Sequence, residues 1–345
     1  MLHSPCCLAI QVRSLTLFIG DLLAAVSQPP DVRLRDFEFL IARSACEFVD
    51  ADPAGWMCAR FGVARQRDWP VAALLARAAD LPSEDVYWLC ADPVHLDPQH
   101  DGALLLPPAS LQLTPEESRR LVNDLNRHFA SQGESWFDLT PTRWLLRSSR
   151  PAGICTVPMD AAREGRAEPL LPAGEDAPAW AGLLTEAQML LHAHPVNEAR
   201  EARGLPSVNS VWLWGGGTVP EVPRHDIVVA GADCLARALA LAGRCSVAAD
   251  FDAVLEAMGG GSAEALVAQT EGAADAAGAL VVIERQWLAP ALRALSDGCL
   301  DFVQLAARAG HGVAQWRLAR NARWLWWRRP RPLRAQLESI GRRFG

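Results

Sequence analysis

Short apolar runs separated by polar turns predict the elements of the first part of the chain. The run at 14–20 (SLTLFIG) is typical of a buried strand, and residues 68–80 repeat apolar positions at helical spacing, with Pro70 in the first turn. The runs at 85–92 and 102–107 predict two more strands. The first part of the chain is therefore expected to contain three strands and one helix.

A capping box predicts the best-defined helix. Thr114-Pro115-Glu116-Glu117 places a capping hydroxyl three positions before an acid and puts proline at the first helical position. The helix is expected to run to about Ser131, where Gly133 stops it, and a strand pair follows around Thr140-Pro141. Residues 84–149 are therefore predicted to form a compact α+β unit.

Residues 150–182, rich in Pro, Ala and Gly, are the predicted linker. Thr185 is expected to cap the next helix with Gln188 in the capping-box position, and Pro195 to kink or break that helix near His194. Beyond it, strands that alternate with helices predict a mainly parallel sheet. The predicted strands are 208–215, 225–231 and the buried run ALVVIE at 279–284; the predicted helices are 232–243 and 262–278, the second capped by Ser262; a hairpin turning at Gly310-His311-Gly312 follows.

Together these elements predict an α/β protein with a mostly parallel sheet and a small inserted α+β subdomain. The expected parts are residues 1–13, a disordered or over-long start; 14–83 and 183–315, the α/β core; 84–149, the insertion; 150–182, the linker; and 316–345, a basic tail rich in Trp and Arg.

The basic residues are all arginine, which removes several chemistries. The 33 basic side chains include no lysine, so a P-loop lysine, a Schiff-base lysine and a lysine general base are excluded. Tyr87 is the single tyrosine. Nine scattered cysteines without a C-x-x-C pair indicate reduced thiols and a cytoplasmic protein. Arg13 and the apolar run after it imitate a secretory signal, but Asp21 interrupts that run.

The net charge of −7 is unevenly distributed along the chain. From Trp316 onward, nine arginines and one acid, Glu338, give a balance of +8. These arginines alternate with Trp324, Trp326 and Trp327, which suits cation–π stacking, an anionic partner or a membrane surface. Docking of this tail onto the body is the alternative interpretation, and the acidic remainder disfavours nucleic acid.

The stretch ADPVHLDPQHD at 91–101 is a candidate metal site, because imidazoles together with carboxylates suit Zn²⁺ or Mn²⁺. A polar loop in which Asp and Pro make turns is the simpler interpretation. His192 and His194 would point apart on a helix, which argues against a metal there. The candidate metal ligands are Asp92, His95, Asp97 and His100.

A candidate ligand site lies in HPVNEAREARGLPSVNSVWLWGGG, residues 194–217. Arginine binds an anion through a bidentate fork and asparagine through its amide, and glycines that follow a strand are typical of ligand loops in α/β sheets. These glycines do not match G-x-G-x-x-G, and three glycines also let two backbones approach closely. Alternatively, the polar side chains bridge the broken helix to the next strand. The candidate ligand-binding residues are Asn197, Arg200, Asn209, Trp214, Gly215 and Gly217.

This passage, followed by DIVVAGADCLARALALAG, resembles the archaeal-type cofactor-independent phosphoglycerate mutases of the alkaline phosphatase superfamily. Those proteins carry N-x-x-R, then G-x-x-P-A-N and I-W-L-W-G-x-G, then a strand and a helix that ends at glycine. DPVHL and LVNDLN also resemble their inserted α+β domain. Over nearly its whole length, the chain is more similar to a bacterial family of regulatory proteins of the pathogenicity-factor (Rpf, E-type) kind.

The resemblance to the mutases implies two divalent metals held by Asp and His, and a Ser or Thr nucleophile, but the sequence departs from that pattern. Only Asp21 stands where the mutases have D-G-x-x-D after the first strand. ALVVIERQWLAPAL offers Glu284 and Trp287, and no histidine, where they have H-x-x-x-P-D-E-A-x-H. No late D-x-x-x-D-H-G loop follows, and the last histidine is His311. Two-metal phosphoryl transfer depends on such ligands.

The sequence therefore predicts a catalytically degenerate relative of phosphoglycerate mutase, without a cofactor, that regulates or binds a ligand such as an anionic small molecule. Two alternatives stay open. One is an active metal-dependent phosphomutase or phosphatase whose Mn²⁺ or Zn²⁺ ligands have moved to the 92–100 stretch. The other is a structural protein that binds a protein partner or a membrane surface through residues 316–345.

Overall fold

A computed structural model describes residues 12–20, 22–25, 33–83, 86–99, 102–149, 153–159, 172–269, 276–324 and 328–344. The strands of this part of the chain are β1 (Ser14–Ile19), β2 (Ala45–Val49), β3 (Tyr87–Gln99), β4 (Gly102–Leu106), β5 (Glu134–Thr140), β6 (Arg143–Ser148), β7 (Ile154–Cys155), β8 (Ala173–Gly174), β9 (Ser210–Gly217), β10 (Ile227–Ala230), β11 (Ser246–Ala248), β12 (Glu264–Gln269), β13 (Phe302–Ala309) and β14 (Gly312–Ala319).

Helices fill most of the connections between these strands. They are α1 (Leu22–Ala25), α2 (Arg35–Arg43), α3 (Pro53–Arg60), α4 (Val71–Ala78), α5 (Pro108–Leu111), α6 (Pro115–Phe129), α7 (Ala177–His192), α8 (Pro195–Glu201), α9 (Cys234–Ala242), α10 (Phe251–Gly259), α11 (Ala276–Ile283), α12 (Ala289–Asp297) and α13 (Leu333–Phe344). A π-helical turn (Glu284–Leu288) joins α11 to α12. In the described part of the chain, no helix is long and apolar enough to cross a membrane.

The chain divides into two compact units at positions other than those expected. The first unit comprises Met1–Ala51 and Arg224–Gly345, and the second comprises Asp52–Pro223. The sequence placed residues 52–83 and 183–223 in the core and treated 84–149 as the insertion. Residues 52–83 and 183–223 instead belong to the second unit, because β9 pairs with β3 and α4 packs against both strands. The second unit is therefore larger than the predicted insertion.

The first unit is built on a seven-stranded sheet in the order β11-β10-β12-β1-β13-β14-β2. The strands from β11 to β13 run parallel, and β14 and β2 are added antiparallel at one edge. Every residue of β1 is buried, which is typical of a central strand covered on both faces. This confirms the predicted α/β class with a mainly parallel central sheet.

Two neighbouring elements of the first unit were predicted with the wrong type: the stretch expected to be a helix contains a strand, and the run expected to be a strand is helical. Residues 262–278 were expected to be a helix, but the strand β12 (Glu264–Gln269) lies within this stretch and pairs with β1. The run at 279–284 was expected to be a strand, but it lies in α11 and the π-helical turn. Ser262 precedes a strand and so caps no helix. A short, wholly apolar run has no periodicity that separates a buried strand from a buried helix.

The end of the chain is part of the first unit. The predicted hairpin is confirmed, with β13 and β14 paired antiparallel from Phe302 with Ala319 to Ala309 with Gly312. Trp316 is buried within β14, so the expected boundary of the tail at residue 316 falls inside a strand. Leu333 and Leu337 of α13 join the hydrophobic core of this unit. The tail therefore docks through α13, whereas the side chains of 323–327, with their three tryptophans, lie outside the described residues.

The second unit has a five-stranded antiparallel sheet centred on the long strand β3. Its order is β4-β3-β6-β5, and β9 pairs with β3 as well. Helices α6 and α7 supply Leu121, Leu125 and Leu184 to the core of this unit. The capping box at Thr114 and Glu117 is confirmed in both of its hydrogen bonds. These additional antiparallel strands with helices match the predicted α+β character.

The helix predicted to begin at Thr185 begins earlier. α7 starts at Ala177, and the Thr185 hydroxyl donates to the Ala181 carbonyl within the helix, so Thr185 is not a cap. The break expected at Pro195 is confirmed, because α7 ends at His192 and α8 begins at Pro195. The short pair β7–β8 lies within the expected linker, whose residues 160–171 are outside the described part.

Candidate functional site

The passage from His194 to Gly217 runs from α8 into β9, and its polar side chains are engaged within the second unit. His194 caps α8: its Nδ1 accepts from the Val196 N–H at 3.1 Å. The Nε2 atom must then carry the proton, and it lies 2.9 Å from Oδ2 of Asp124 on α6. His194 therefore joins two helices, and its partner in the predicted H-x-H pair, His192, ends α7.

Asn197 links the broken helix to the segment before β9. Its Nδ2 donates to the carbonyls of Leu191 at 2.6 Å and Val208 at 2.8 Å. Its Oδ1 accepts from the Val208 N–H at 2.8 Å. The side chain is buried, and its amide is bonded at both ends. An anion would have to displace these bonds in order to bind to Asn197.

Arg200 is fully buried, with 0% of the residue exposed, and its guanidinium reaches three different partners. Its Nε donates to the Pro206 carbonyl at 3.0 Å, Nη2 donates to the Leu111 carbonyl, and Nη1 donates to Oε2 of Glu117 at 2.8 Å. Glu117 is also bound by Arg203. The arginine therefore holds the first turn of α6 against α8.

Asn209 pairs with the backbone of β3. Its Oδ1 accepts from the Leu96 N–H at 2.8 Å, and its Nδ2 donates to the Leu96 carbonyl at 2.9 Å. The amide thus imitates one rung of a β-ladder just before β9 begins. All three polar candidates have the bridging contacts that the alternative interpretation expected.

Trp214 joins the two candidate groups through Asp92. Its indole Nε1 donates to Oδ2 of Asp92 at 2.8 Å, and the guanidinium of Arg143 lies over the Trp214 ring, 4.8 Å from the centroid. Arg143 also forms an ion pair with Asp92, at 2.9 Å between Nε and Oδ1. Asp92 is 1% exposed, so the arginine compensates a buried charge. No spacing in the sequence singles out Arg143.

The three glycines lie where the backbone of β9 approaches its neighbours. Gly215 has φ +65°, and a Cβ there would lie 3.0 Å from Cβ of Val71 on α4. A Cβ on Gly216 would meet Tyr87 and Leu89, and one on Gly217 would meet Pro70. This close approach is the structural role that the sequence offered as the alternative to a ligand loop.

The three candidate metal ligands that the structure describes, Asp92, His95 and Asp97, do not converge on one face of β3. Asp92 and His95 are three residues apart on the continuous strand β3, so their side chains project to opposite faces. His95 Nδ1 contacts the Ser207 carbonyl at 2.9 Å. Asp97 shares the His95 face by strand alternation, and His100 lies outside the described residues. The relocated metal site expected at 92–100 is therefore not assembled from the residues described.

One buried acid was missed by the sequence analysis. Asp68, before α4, accepts from the Thr156 hydroxyl at 2.6 Å and from its backbone N–H at 3.1 Å. The same hydroxyl oxygen accepts from the Gly215 N–H at 3.1 Å. The neighbouring phenol of Tyr87 is buried. This burial, together with the charge of Asp68, raises the pKa of Tyr87 above its ordinary value. The single tyrosine is therefore poorly suited to proton transfer near neutral pH.

The metals that the resemblance implies would lie at the carboxyl ends of the parallel strands in the first unit. The acids that follow β10 and β11 are helix caps. Asp233 accepts from the Ala236 N–H at 2.7 Å, and Asp250 accepts from the Ala253 N–H at 2.9 Å. At the end of β13, His311 lies in the hairpin turn. These acids support helices, and as placed they do not fit a two-metal site.

The remaining strand ends at this edge are incompletely described. Within the described ranges, no group of three His, Cys, Asp or Glu side chains is placed to hold a metal ion. Asp21 follows β1, and residues 270–275 (TEGAAD) follow β12; both lie outside the described part. Because the strand in this part of the chain is β12 and not the run at 279–284, the residues that follow a strand of the central sheet are 270–275 rather than Glu284 and Trp287. That segment also contains no histidine.

Comparison with known proteins shows that part of this α/β chain is distantly similar to one class of enzyme, the phosphoglycerate mutases. No protein-family model matches the sequence. A 2,3-bisphosphoglycerate-independent phosphoglycerate mutase of Methanothrix thermoacetophila is 39% identical over 84 residues, which are 24% of this chain and 21% of that protein. The corresponding mutase of Methanosarcina barkeri is 30% identical over 112 residues, 32% of this chain and 28% of that protein. The matches thus span about a fifth to just over a quarter of these relatives.

Two solved structures show weaker likenesses. A protein of Pyrococcus horikoshii aligns over 90% of this chain and 88% of its own with 13% identity and a TM-score of 0.48. The cofactor-independent phosphoglycerate mutase of Thermoplasma acidophilum aligns over 89% of this chain and 90% of its own with 14% identity and a TM-score of 0.41. The sequence matches show a distant similarity to cofactor-independent phosphoglycerate mutases.

Proposed function

We propose that this protein is a non-catalytic relative of cofactor-independent phosphoglycerate mutases that binds an anionic ligand and has a regulatory role. The observation that carries the proposal is the use of Asp233 and Asp250, the acids at two strand ends of the central sheet, as helix caps. In a two-metal phosphotransferase such acids would be free to hold ions. The segment TEGAAD after β12, without histidine, supports the same conclusion.

In this proposal, the polar candidate residues of the 194–217 passage stabilise the structure and do not contact the ligand. Asn197, Arg200 and Asn209 hold α6, α8 and β3 together, so they maintain the shape of the second unit. We place the protein in the cytoplasm, because its cysteines show no disulfide spacing, and assign it to the bacterial pathogenicity-factor regulatory kind, because of the resemblance over nearly its whole length.

An active metal-dependent phosphomutase is the second candidate, and the similarity to the methanogen mutases favours it. Its metal ligands would have to include Asp21 and acids of 270–275, because Asp92 is held by Trp214 and Arg143. Bound divalent ions would supply charge neutralisation at the transferring phosphoryl group. The chain's own contribution would be to position the substrate.

The deciding experiment measures turnover and metal content on the same preparation. The purified chain is incubated with Mn²⁺ or Zn²⁺ and assayed for conversion of 3-phosphoglycerate to 2-phosphoglycerate and for hydrolysis of p-nitrophenyl phosphate. The mutase of Methanosarcina barkeri, assayed in parallel, is the positive control. We expect no turnover above the buffer. Metal-dependent turnover that Asp21→Asn abolishes would establish the phosphomutase instead.

A further inference from the structure

A cavity of about 630 Å³ in the first unit is lined by three arginines of the tail. It lies between the end of α2, the edge strand β2 and the beginning of α13, and we call it the arginine pocket. Its volume is within the roughly 300–1,000 Å³ of typical small-molecule sites.

The lining of the arginine pocket is positive without compensation. Arg328, Arg329 and Arg331 are exposed, and none of the three takes part in the ion pairs formed among the described residues, such as that of Arg334 with Glu338 in the same tail. None of the lining residues is acidic. Arginine side chains left without an internal partner at one concave place are the usual recognition elements for phosphate and carboxylate groups.

Two acids that are close in sequence to lining residues are directed elsewhere. Glu38 is buried, forms an ion pair with Arg33 and accepts from the Leu333 N–H at 3.3 Å. Glu47 follows Cys46 on β2, and because Cys46 lines the pocket, strand alternation places Glu47 on the other face. Neither carboxylate therefore competes with a ligand for the three arginines.

The rest of the pocket is mainly apolar. Cys46 and Trp316 are cross-strand partners of β2 and β14, and both line the cavity. Ala42 and Ala335 add aliphatic surface from α2 and α13, and Gln336 and the hydroxyl of Ser44 add polar groups, whereas Ile41 and Trp316 are almost completely buried. A bare inorganic anion would leave this surface uncovered. A ligand with both an anionic and an apolar part matches it better.

We infer that the arginine pocket binds a small soluble phosphate ester, with the phosphate on Arg328, Arg329 and Arg331 and the organic part against Ala42, Cys46 and Ala335. This inference rests on the ligand-binding half of the proposed function and moves the anion site away from Asn197, Arg200 and Asn209. Docking of the tail is required for this site, because the packing of α13 into the core brings the three arginines next to the edge strand β2.

Phenyl phosphate tests the inference, because it combines one phosphate with one planar apolar group. Isothermal titration calorimetry of the full chain should show binding of phenyl phosphate that is tighter than binding of inorganic phosphate. R328Q/R329Q/R331Q should weaken phenyl phosphate binding on the order of tenfold or more, since charge-assisted hydrogen bonds are lost. A335W, which fills the cavity and leaves the arginines, should abolish the preference for phenyl phosphate.

A charge-matched control separates a site from general attraction. R224Q/R237Q/R285Q removes the same charge at exposed positions of the same unit, none of which lines the pocket. It should change the affinity by less than about twofold. Equal weakening by both triple variants, equal affinity for the two phosphates, or no binding at all would overturn the inference.

Two further measurements keep the alternatives apart. Vesicles containing phosphatidylglycerol test a lipid source of the phosphate: arginine-dependent vesicle binding without phenyl phosphate binding would overturn the inference in favour of a membrane surface. The turnover assay tests the proposed function separately. Metal-dependent turnover together with arginine-dependent binding of phenyl phosphate would contradict only the non-catalytic assignment. Absence of both turnover and phenyl phosphate binding would contradict only the inference about the arginine pocket.

Discussion

Arg200 and Glu117 form a buried ion pair that ties the broken helix to the capping box. Nη1 of Arg200 lies 2.8 Å from Oε2 of Glu117, whose carboxylate also accepts from the Thr114 N–H at 3.0 Å. One carboxylate therefore ends the first turn of α6 and neutralises an arginine from α8 that is completely inaccessible to solvent. The motif that most resembles the mutases is thus used to assemble the second unit.

Replacing Arg200 should destabilise the protein strongly. Arg200→Gln leaves Glu117 without its buried partner and leaves the carbonyls of Leu111 and Pro206 without donors. We expect a loss of about 3–5 kcal/mol in the free energy of unfolding. Arg203→Gln is the matched control, because Arg203 binds the same carboxylate but is half-exposed; it should cost less than about 1 kcal/mol. Urea titration followed by tryptophan fluorescence measures both.

The opposite outcome would also be informative. If Arg200→Gln leaves the free energy of unfolding unchanged and instead abolishes binding of phenyl phosphate, then Arg200 is a ligand residue, as the sequence first suggested.

Glu117 should make the stability depend on acid. Burial alone would raise the pKa of Glu117, but the Thr114 N–H, Arg203 and Arg200 outweigh it and hold the pKa below its ordinary value of 4.5. A lowered pKa means that the stabilisation is complete above the unfolded-state pKa and is lost as pH falls through the folded-state pKa. Wild type should therefore exceed Glu117→Gln in stability at neutral pH, and the difference should shrink below about pH 4.5.

The measurement is a urea titration of both proteins at several pH values. Glu116→Gln, at the exposed neighbouring position, changes the charge equally and should keep the wild-type free energy of unfolding at neutral pH. A difference between wild type and Glu117→Gln that stays constant or grows on acidification would contradict the assignment.

Local signals in the sequence were sufficient where one interaction decides the structure. The capping box at Thr114, the stop at Gly133 and the break before Pro195 depend on backbone hydrogen bonds within a few residues, and the structure has all three. The central parallel sheet followed from the alternation of strands and helices. The prediction for 279–284 failed because a short run of almost only apolar residues has no periodicity that distinguishes a helix from a strand; in the structure Leu280 is buried, whereas Val282 is exposed.

Partners distant in sequence decided the remaining features. Nothing near Asp92 indicates that Arg143 and Trp214 would surround it, because those contacts arise when β6 and β9 pair with β3. Likewise, the arginine pocket joins residues 41–46 with 328–336, and only the docking of α13 brings them together. A cluster that is dense in sequence, such as 92–100, can therefore separate in space while distant residues meet.

Removing Arg143 should lower the free energy of unfolding, because the buried carboxylate of Asp92 loses this ion-pair partner. Arg143→Gln leaves the carboxylate with Trp214 but without its compensating charge, and we expect a loss of about 3–5 kcal/mol in the free energy of unfolding. R143Q/D92N, which removes both charges, should recover part of this loss. If Asp92 instead ligated a metal, Asp92→Asn would weaken Zn²⁺ or Mn²⁺ binding; we expect no change in metal affinity by calorimetry.

The glycine at position 216 should be required by packing. A Cβ there would lie 2.8 Å from Cδ2 of the buried Leu89 and would also overlap the Tyr87 hydroxyl, so Gly216→Ala should lower the free energy of unfolding by about 1–3 kcal/mol. Y87F/G216A should be more stable than G216A, because the overlapping oxygen is gone. Gly182→Ala is the matched control: no atom lies within 4 Å of its added Cβ, and within α7 alanine should stabilise by roughly 0.5–1 kcal/mol. Thermal unfolding of the wild type and the three variants ranks them, and a tolerated G216A would mean that these glycines serve something other than close packing.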